Sequence, residues 1–265
     1  MTFYEVLTAA INDIIEYGFD SKKRIDGWLQ KIKIAANDAL MSDEQMQTEM
    51  EKALNSTFAR MVTKGGLINK SITKYDIEKL KPRLRSELDR RIMASANLIK
   101  YNREKNVNEV LQRFEGWATS IPVGGSKAVD RVKEKQTIKK SLTKMPFEQR
   151  RVVIDQTHKL VSNINEIVAM DNGAIAARWH SHWKQPNYNY RKDHKERDEK
   201  IYVIRNSWAH KEGLIKPVNG YTDDITSPGE EVYCRCNYVY LYNLRQVQDL
   251  LTKKGQAALQ SAKIV

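Results

Sequence analysis

The sequence predicts a mainly α-helical chain that ends in a small α+β domain. Apolar residues recur at three- and four-residue steps as far as residue 170, the spacing of amphipathic helices. The character changes after Asp171-Asn172-Gly173, where tryptophans and prolines become frequent and runs such as Lys200 to Ile204 and Val232 to Tyr240 alternate as strands do. The expected organisation is a helical region over 1–120, as a bundle or as extended helices, then a basic helical connector over 121–170. An α+β domain over 171–265, closed by a C-terminal helix, completes the chain.

Met1 to Tyr17 places Phe3, Leu7, Ala10, Ile14 and Ile15 on one helical face, and Gly18 supplies a stop. A second helix follows the N-capping residue Asp20, with Ile25, Trp28, Leu29, Ile32 and Ile34 as its buried side. Ser42-Asp43-Glu44-Gln45 has the form of a capping box and opens a third helix that ends near Lys64-Gly65-Gly66. From Ile77 onward, Leu80, Leu84, Leu88, Ile92, Ala96 and Ile99 hold a single apolar stripe, which reads as core or as a partner-binding face. Pro82 marks a first turn or a kink.

Ser120 to Ser126 breaks the helical pattern and is the candidate hinge. Its Gly124-Gly125-Ser126-Lys127 lacks the first glycine of a phosphate-binding loop and no strand precedes it, so no nucleotide site is expected. Beyond it the chain is strongly basic, with Lys133, Lys135, Lys139, Lys140, Arg150 and Arg151 prominent. Helix resumes from Val152 to Met170, and the last helix is expected from Leu244 through Ala262 before a basic tail.

Charge and length narrow the function classes. The 265 residues are 41% apolar, enough to fill a core. With 45 basic and 33 acidic residues the net charge is +12, which favours a polyanionic neighbour. The basic run carries no base-reading or stacking pattern, so contact with double-stranded DNA would be non-specific and salt-sensitive; a solvated helical face is the plainer reading. No apolar run reaches the roughly 20 residues of a membrane-spanning helix, and Met1 to Glu5 has no signal-peptide form, so no membrane anchor and a start in the cytosol are expected.

Chemistry is concentrated after residue 157. All five histidines (158, 180, 182, 194 and 210) and both cysteines lie there. A disulfide between Cys234 and Cys236 would be strained, leaving free thiols or metal ligands. On a strand the two sulfurs face the same side, and with His194 and His210 they offer a Cys2His2 shell suited to structural zinc. The alternative is that the cysteines pack as small hydrophobes. His180 and His182 are a spare ligand pair. Arg191, Asp193, Glu231 and Arg235 are polar residues whose arginine–carboxylate pairing would fix loop geometry.

The order Trp179, Arg191-x-Asp193-His194, Pro228-x-Glu230-Glu231 and Cys234-Arg235-Cys236 resembles the C-terminal domain of phage minor head proteins, the Mu-F-like head-morphogenesis family. The resemblance covers roughly residues 165 to 243. Where many members carry an Asp-Gly pair after the histidine, this chain reads Glu196-Arg197-Asp198-Glu199. The resemblance implies a low-copy structural protein, not an enzyme, in the capsid interior or at the portal vertex, present in the host cytoplasm during assembly. Portal or major capsid protein and packaged DNA would be its partners, with homo-oligomerisation open. A rival reading is a ββα-metal nuclease, in which His194 is the general base, Asp193 and His210 hold a divalent ion, and Asn206 lies between them.

Overall fold

The computed structural model describes residues 1–63 and 74–262. Its helical elements are α1 (Phe3–Tyr17), α2 (Lys22–Asp38), α3 (Asp43–Thr63), α4 (Lys74–Ser120) and α5 (Arg131–Asp171), followed by the short α6 (Lys192–Glu196), α7 (Trp208–Lys211) and α8 (Lys253–Ser261). Three strands, β1 (Ala176–His180), β2 (Ile201–Val203) and β3 (Asn237–Leu241), lie among the short helices. The fold is mainly helical with a small α+β C-terminal part, as the periodicity predicts.

The chain forms two compact units, Met1–Met50 with Met93–Val153, and Glu51–Ile92 with Ile154–Val265. These divisions fall within or beside long helices, whereas the change of composition suggested boundaries near 120 and 170. α4 and α5 end at Ser120 and Asp171, where the sequence character shifts, while the divisions between the units fall inside α3, α4 and α5. Pro82 is accommodated inside α4.

In the first unit, α1 starts with a reciprocal cap. The Glu5 amide donates to Thr2 Oγ1 at 3.3 Å, and the Thr2 amide donates to the Glu5 carboxylate at 2.8 Å. Phe3, Val6, Leu7, Ala10, Ile11, Ile14 and Ile15 form its buried face and meet Ile25, Ile32, Ala35 and Ala36 of α2 and Val107, Val110 and Phe114 of α4. Ile34 was expected on the buried side of α2 but is 52% exposed; Ala35 and Ala36 take the inward positions. Ser21, rather than Asp20, occupies the N-cap position of α2. The capping box of α3 forms as expected, with the Gln45 amide donating to Ser42 Oγ and the Ser42 amide to Gln45 Oε1. Its expected end at Lys64-Gly65-Gly66 lies outside the described residues.

The predicted hinge is a docked loop. The amides of Phe19, Gly124 and Ser126 donate to the carbonyls of Ile121, Tyr17 and Ile15, at 3.0, 3.0 and 2.9 Å. Gly18 and Gly125 have φ of +72° and +81°, and a Cβ on Gly125 would stand 2.1 Å from the Ile15 carbonyl oxygen. Main chain lies against main chain here, so the loop is held to the end of α1 by contacts that only glycine permits.

In the second unit, Leu80, Leu84, Leu88 and Ile92 of α4 are buried, as are Leu160, Ile164 and Val168 of α5, and Asn163 donates to Glu87 at 2.6 Å. The leucine stripe is therefore core over these turns. The sheet order is β2-β1-β3, antiparallel throughout, with Ala177 opposite both Tyr202 and Tyr240. Strand alternation splits its residues between two apolar clusters. Ala176, Ile201, Val203 and Leu241 join Leu214, Ile215, Val247 and Leu250 on one side. Ala177, Trp179, Tyr202 and Tyr238 join Cys234 and Cys236 on the other. The strand expected over 200–204 is β2. That expected over 232–240 begins only at Asn237, because Val232 and Tyr233 form a turn in which Tyr233 has φ of +61°. The single expected C-terminal helix is a 3-10 helix (Leu244–Leu250) followed by α8.

Gly125→Ala should destabilise the first unit by about 2 kcal/mol or more, since the new methyl collides with main chain at a left-handed φ. Gly124→Ala, at φ +89° with nothing within 4 Å of the added carbon, should cost about half as much. Urea unfolding of the two variants checks the difference; equal losses would mean that the loop is not held against α1.

Candidate metal centre

The site is built on the Trp179 face of the sheet. Trp179, at the end of β1, is fully buried, and its main chain exchanges hydrogen bonds with the segment before β2: its amide donates to Lys200 O at 2.9 Å and its carbonyl accepts from the Glu199 amide at 2.8 Å. That pairing delivers α6 over the sheet. His194, in α6, is 2% exposed, and its ring meets the Trp179 ring edge-on with centroids 5.2 Å apart.

The turn before β3 supplies the sulfurs. Cys234 and Cys236 are 1% and 4% exposed, and neither is in a disulfide. His194 Nδ1 stands 3.7 Å from Cys234 Sγ and 3.6 Å from Cys236 Sγ. A tetrahedral ion bound by sulfur at about 2.3 Å and by nitrogen at about 2.1 Å spans a sulfur-to-nitrogen edge of about 3.6 Å. Both sulfur-to-nitrogen edges are therefore already at ligand spacing, all three donor atoms lie within 4.8 Å of one another, and the cluster could hold a metal ion. The expected side-by-side sulfurs occur, but on a turn rather than on a strand.

The sulfur environment favours a thiolate. The Cys234 thiol is lowered to about 6, chiefly by a hydrogen bond from Cys236, then by the Gly229 amide, which donates to Cys234 Sγ at 3.4 Å, and by the nearby His194. Cys236 is pushed up because it keeps its proton towards Cys234, and burial adds to the effect. The pair thus loses its first proton readily and holds its second, which a bound metal ion would have to displace. Gly229, at φ +83°, lets the loop approach α5; a Cβ there would stand 2.9 Å from Ser162 Oγ.

Charged residues surround the opposite edge of the imidazole. Among the described residues His194 Nε2 is buried without a hydrogen bond, and carboxylate oxygens stand near it, Glu231 Oε1 at 3.7 Å and Asp193 Oδ2 at 3.8 Å. Arg191 pairs with Glu231 at 2.5 Å and donates to the Val232 carbonyl at 3.0 Å. Arg197 pairs with Asp193 at 2.8 Å and lies over the Trp179 ring. Sulfurs on Nδ1 and carboxylates towards Nε2 is the polarity of a metal-bound histidine, whose second nitrogen faces an acidic outer shell. The turn itself is fixed by Asp155 of α5, which accepts from the Tyr233 amide and pairs with Lys159 at 3.1 Å. The Arg235 amide donates to the Tyr188 hydroxyl at 3.2 Å.

Other expected residues lie elsewhere. His210 does not join the cluster: its Nε2 is 3.1 Å from the Tyr221 hydroxyl and its ring packs edge-on against that tyrosine. The ring of His180 is 5.9 Å from that of His182, and its Nδ1 is 3.3 Å from Glu199 Oε1. His180, Asp198 and Glu199 form a partly exposed donor group, but Asp198 already accepts from the Ser181 amide and from Trp183 Nε1, each at 2.7 Å. The nuclease arrangement of Asp193, His194, Asn206 and His210 finds no common centre, because His194 turns Nδ1 to the sulfurs while His210 is engaged by Tyr221. Asn206 occupies a turn at φ +66°.

The basic residues expected to meet DNA all lie on α5. Lys133, Lys140, Arg150 and Arg151 are exposed, whereas Lys135 donates to Thr8 Oγ1 at 2.6 Å and Lys139 sits over the Tyr4 ring at 5.1 Å. Sequence reasoning missed Asp155 and Arg197. The first reads as one half of an ordinary i,i+4 helix pair, and the second as one more charge in the run from Arg191 to Lys200. No helix among the described residues is long and apolar enough to cross a membrane. Compared with protein-family models, with curated proteins and with solved structures, the chain has no match.

Proposed function

We propose that the chain is a structural minor head protein of a tailed phage, held in shape by zinc at His194, Cys234 and Cys236 and touching packaged DNA without sequence preference. The observation that carries the reading is the convergence of the resemblance's own residues. Trp179, Arg191, Asp193, His194, Glu231, Cys234 and Cys236 are scattered over more than fifty positions yet meet in one buried cluster and its ion pairs. Residues that recur together for a structural reason should assemble in this way.

Zinc suits the donor set because two thiolates and one imidazole are its preferred ligands, and because ligation ties the turn before β3 to α6 across the sheet. His210 is not the fourth ligand in this reading; a water or a partner's side chain completes the shell. The role assigned to the ion is to hold the fold. The basic face of α5 supports DNA contact through Lys133, Lys140 and Arg150, each exposed and able to approach a phosphate. Portal or major capsid protein is the proposed protein partner, in the capsid interior or at the portal vertex.

Mass spectrometry of purified particles tests the assignment. The account expects this chain at low copy in full and empty heads, and its absence from particles whose producing cells contain it would refute a virion role. Elemental analysis should find one zinc per chain in the wild-type protein and in His210→Phe, and none in Cys236→Ser; a metal-free wild type would remove the ion from the account. Reversing Lys133, Lys140 and Arg150 to glutamate should lower the slope of log affinity for DNA against log salt by about 2–3, since each charge neutralises about one phosphate. An unchanged slope would place the contact elsewhere.

A further inference from the structure

The first unit contains an apolar cleft of about 790 Å³, within the range of about 300–1,000 Å³ usual for small-molecule sites. Phe3 and Tyr4 of α1, Leu40 and Met41 after α2, and Leu142 and Met145 of α5 form its apolar walls. Arg103 of α4 also lines it, and that residue is only 6% exposed.

Among the described residues Arg103 forms no ion pair. Its Nη1 donates to the Met41 carbonyl, and its Nε is buried without a hydrogen-bond partner. The carboxylate that most favours its charge is Asp43, which is itself paired with Lys100 at 3.6 Å. Burial pulls the guanidinium below its ordinary value, yet arginine keeps its proton in proteins. A desolvated cation with an idle donor, set in an apolar wall, is costly unless something anionic reaches it.

We propose that this cleft binds an apolar monocarboxylate, its aliphatic body against Phe3, Leu40, Leu142 and Met145 and its carboxylate on Arg103. A planar carboxylate matches one guanidinium, whereas a phosphate dianion calls for more donors than the cleft holds. Glu5 and Asp38 also line the cleft and oppose a second negative charge. Because Arg103 is almost wholly enclosed, only a slender chain end can approach it, which selects a free amphiphile over the broad surface of a folded partner. The site does not depend on the virion reading.

Calorimetric titration of the full-length protein with dodecanoate, dodecanol and dodecylammonium, each below its micelle concentration, tests the proposal. Wild type should bind dodecanoate about tenfold or more tighter than dodecanol, one charge-assisted pair's worth of discrimination. Dodecylammonium should bind more weakly than either. Arg103→Met, which keeps the length and apolar bulk of the side chain, should bind the acid and the alcohol alike. Equal binding of acid and alcohol by wild type, undiminished dodecanoate binding by Arg103→Met, or no binding of dodecanoate at all would overturn it. Leu142→Trp, which fills the cleft and leaves the cation in place, serves as the second variant. It should abolish dodecanoate binding, and retained affinity would show that the fatty chain binds elsewhere.

Discussion

The approach of His194 Nδ1 to two cysteine sulfurs is the contact on which the C-terminal part of the structure depends. It joins α6, delivered by the main-chain pairing of Trp179 with Glu199 and Lys200, to the turn that leads into β3. A three-stranded sheet with strands as short as Ile201–Val203 buries little apolar surface by itself. The Trp179 face compensates by stacking aromatic rings, two sulfurs and an imidazole in one layer. Around it, Arg191 with Glu231 and Arg197 with Asp193 hold the carboxylates that face the imidazole. Their partial exposure limits each pair's contribution to stability, so their role is to place the carboxylates.

The helical part is organised by different means. The α1 and α2 faces are read directly from three- and four-residue spacing, and the loop after α4 is fixed by glycine main chain rather than by side chains. Gly-Gly in sequence ordinarily signals freedom, yet here Gly125 and Gly18 permit close main-chain packing that any Cβ would prevent. The same residue type thus gives a docked loop where a hinge was expected, and the difference lies in what approaches it from α1.

Much of the architecture was legible because amphipathic helices announce themselves locally. The capping box at Ser42, the stripe from Leu80 to Ile92 and the strand at Ile201–Val203 needed no tertiary information. β1 was not legible: Ala-Ala-Arg-Trp-His has neither strand alternation nor β-branched residues, and it is a strand because it is flanked on both sides. At the site, the cysteine pair and His194 could be read from rarity and residue type. His210 could not be excluded, since its engagement with Tyr221 depends on a loop closure of eleven residues that no local pattern encodes. Arg103 was equally silent, being one charge among many on α4.

The central claim is that a metal ion, and not packing alone, explains the geometry of the cluster. Zinc K-edge X-ray absorption on the purified protein examines the ion's own ligand shell. The account predicts two sulfur scatterers at about 2.3 Å and one imidazole nitrogen at about 2.1 Å, with one further light-atom ligand. A shell of oxygen and nitrogen alone, or of one sulfur, would contradict it and return Cys234 and Cys236 to the apolar core.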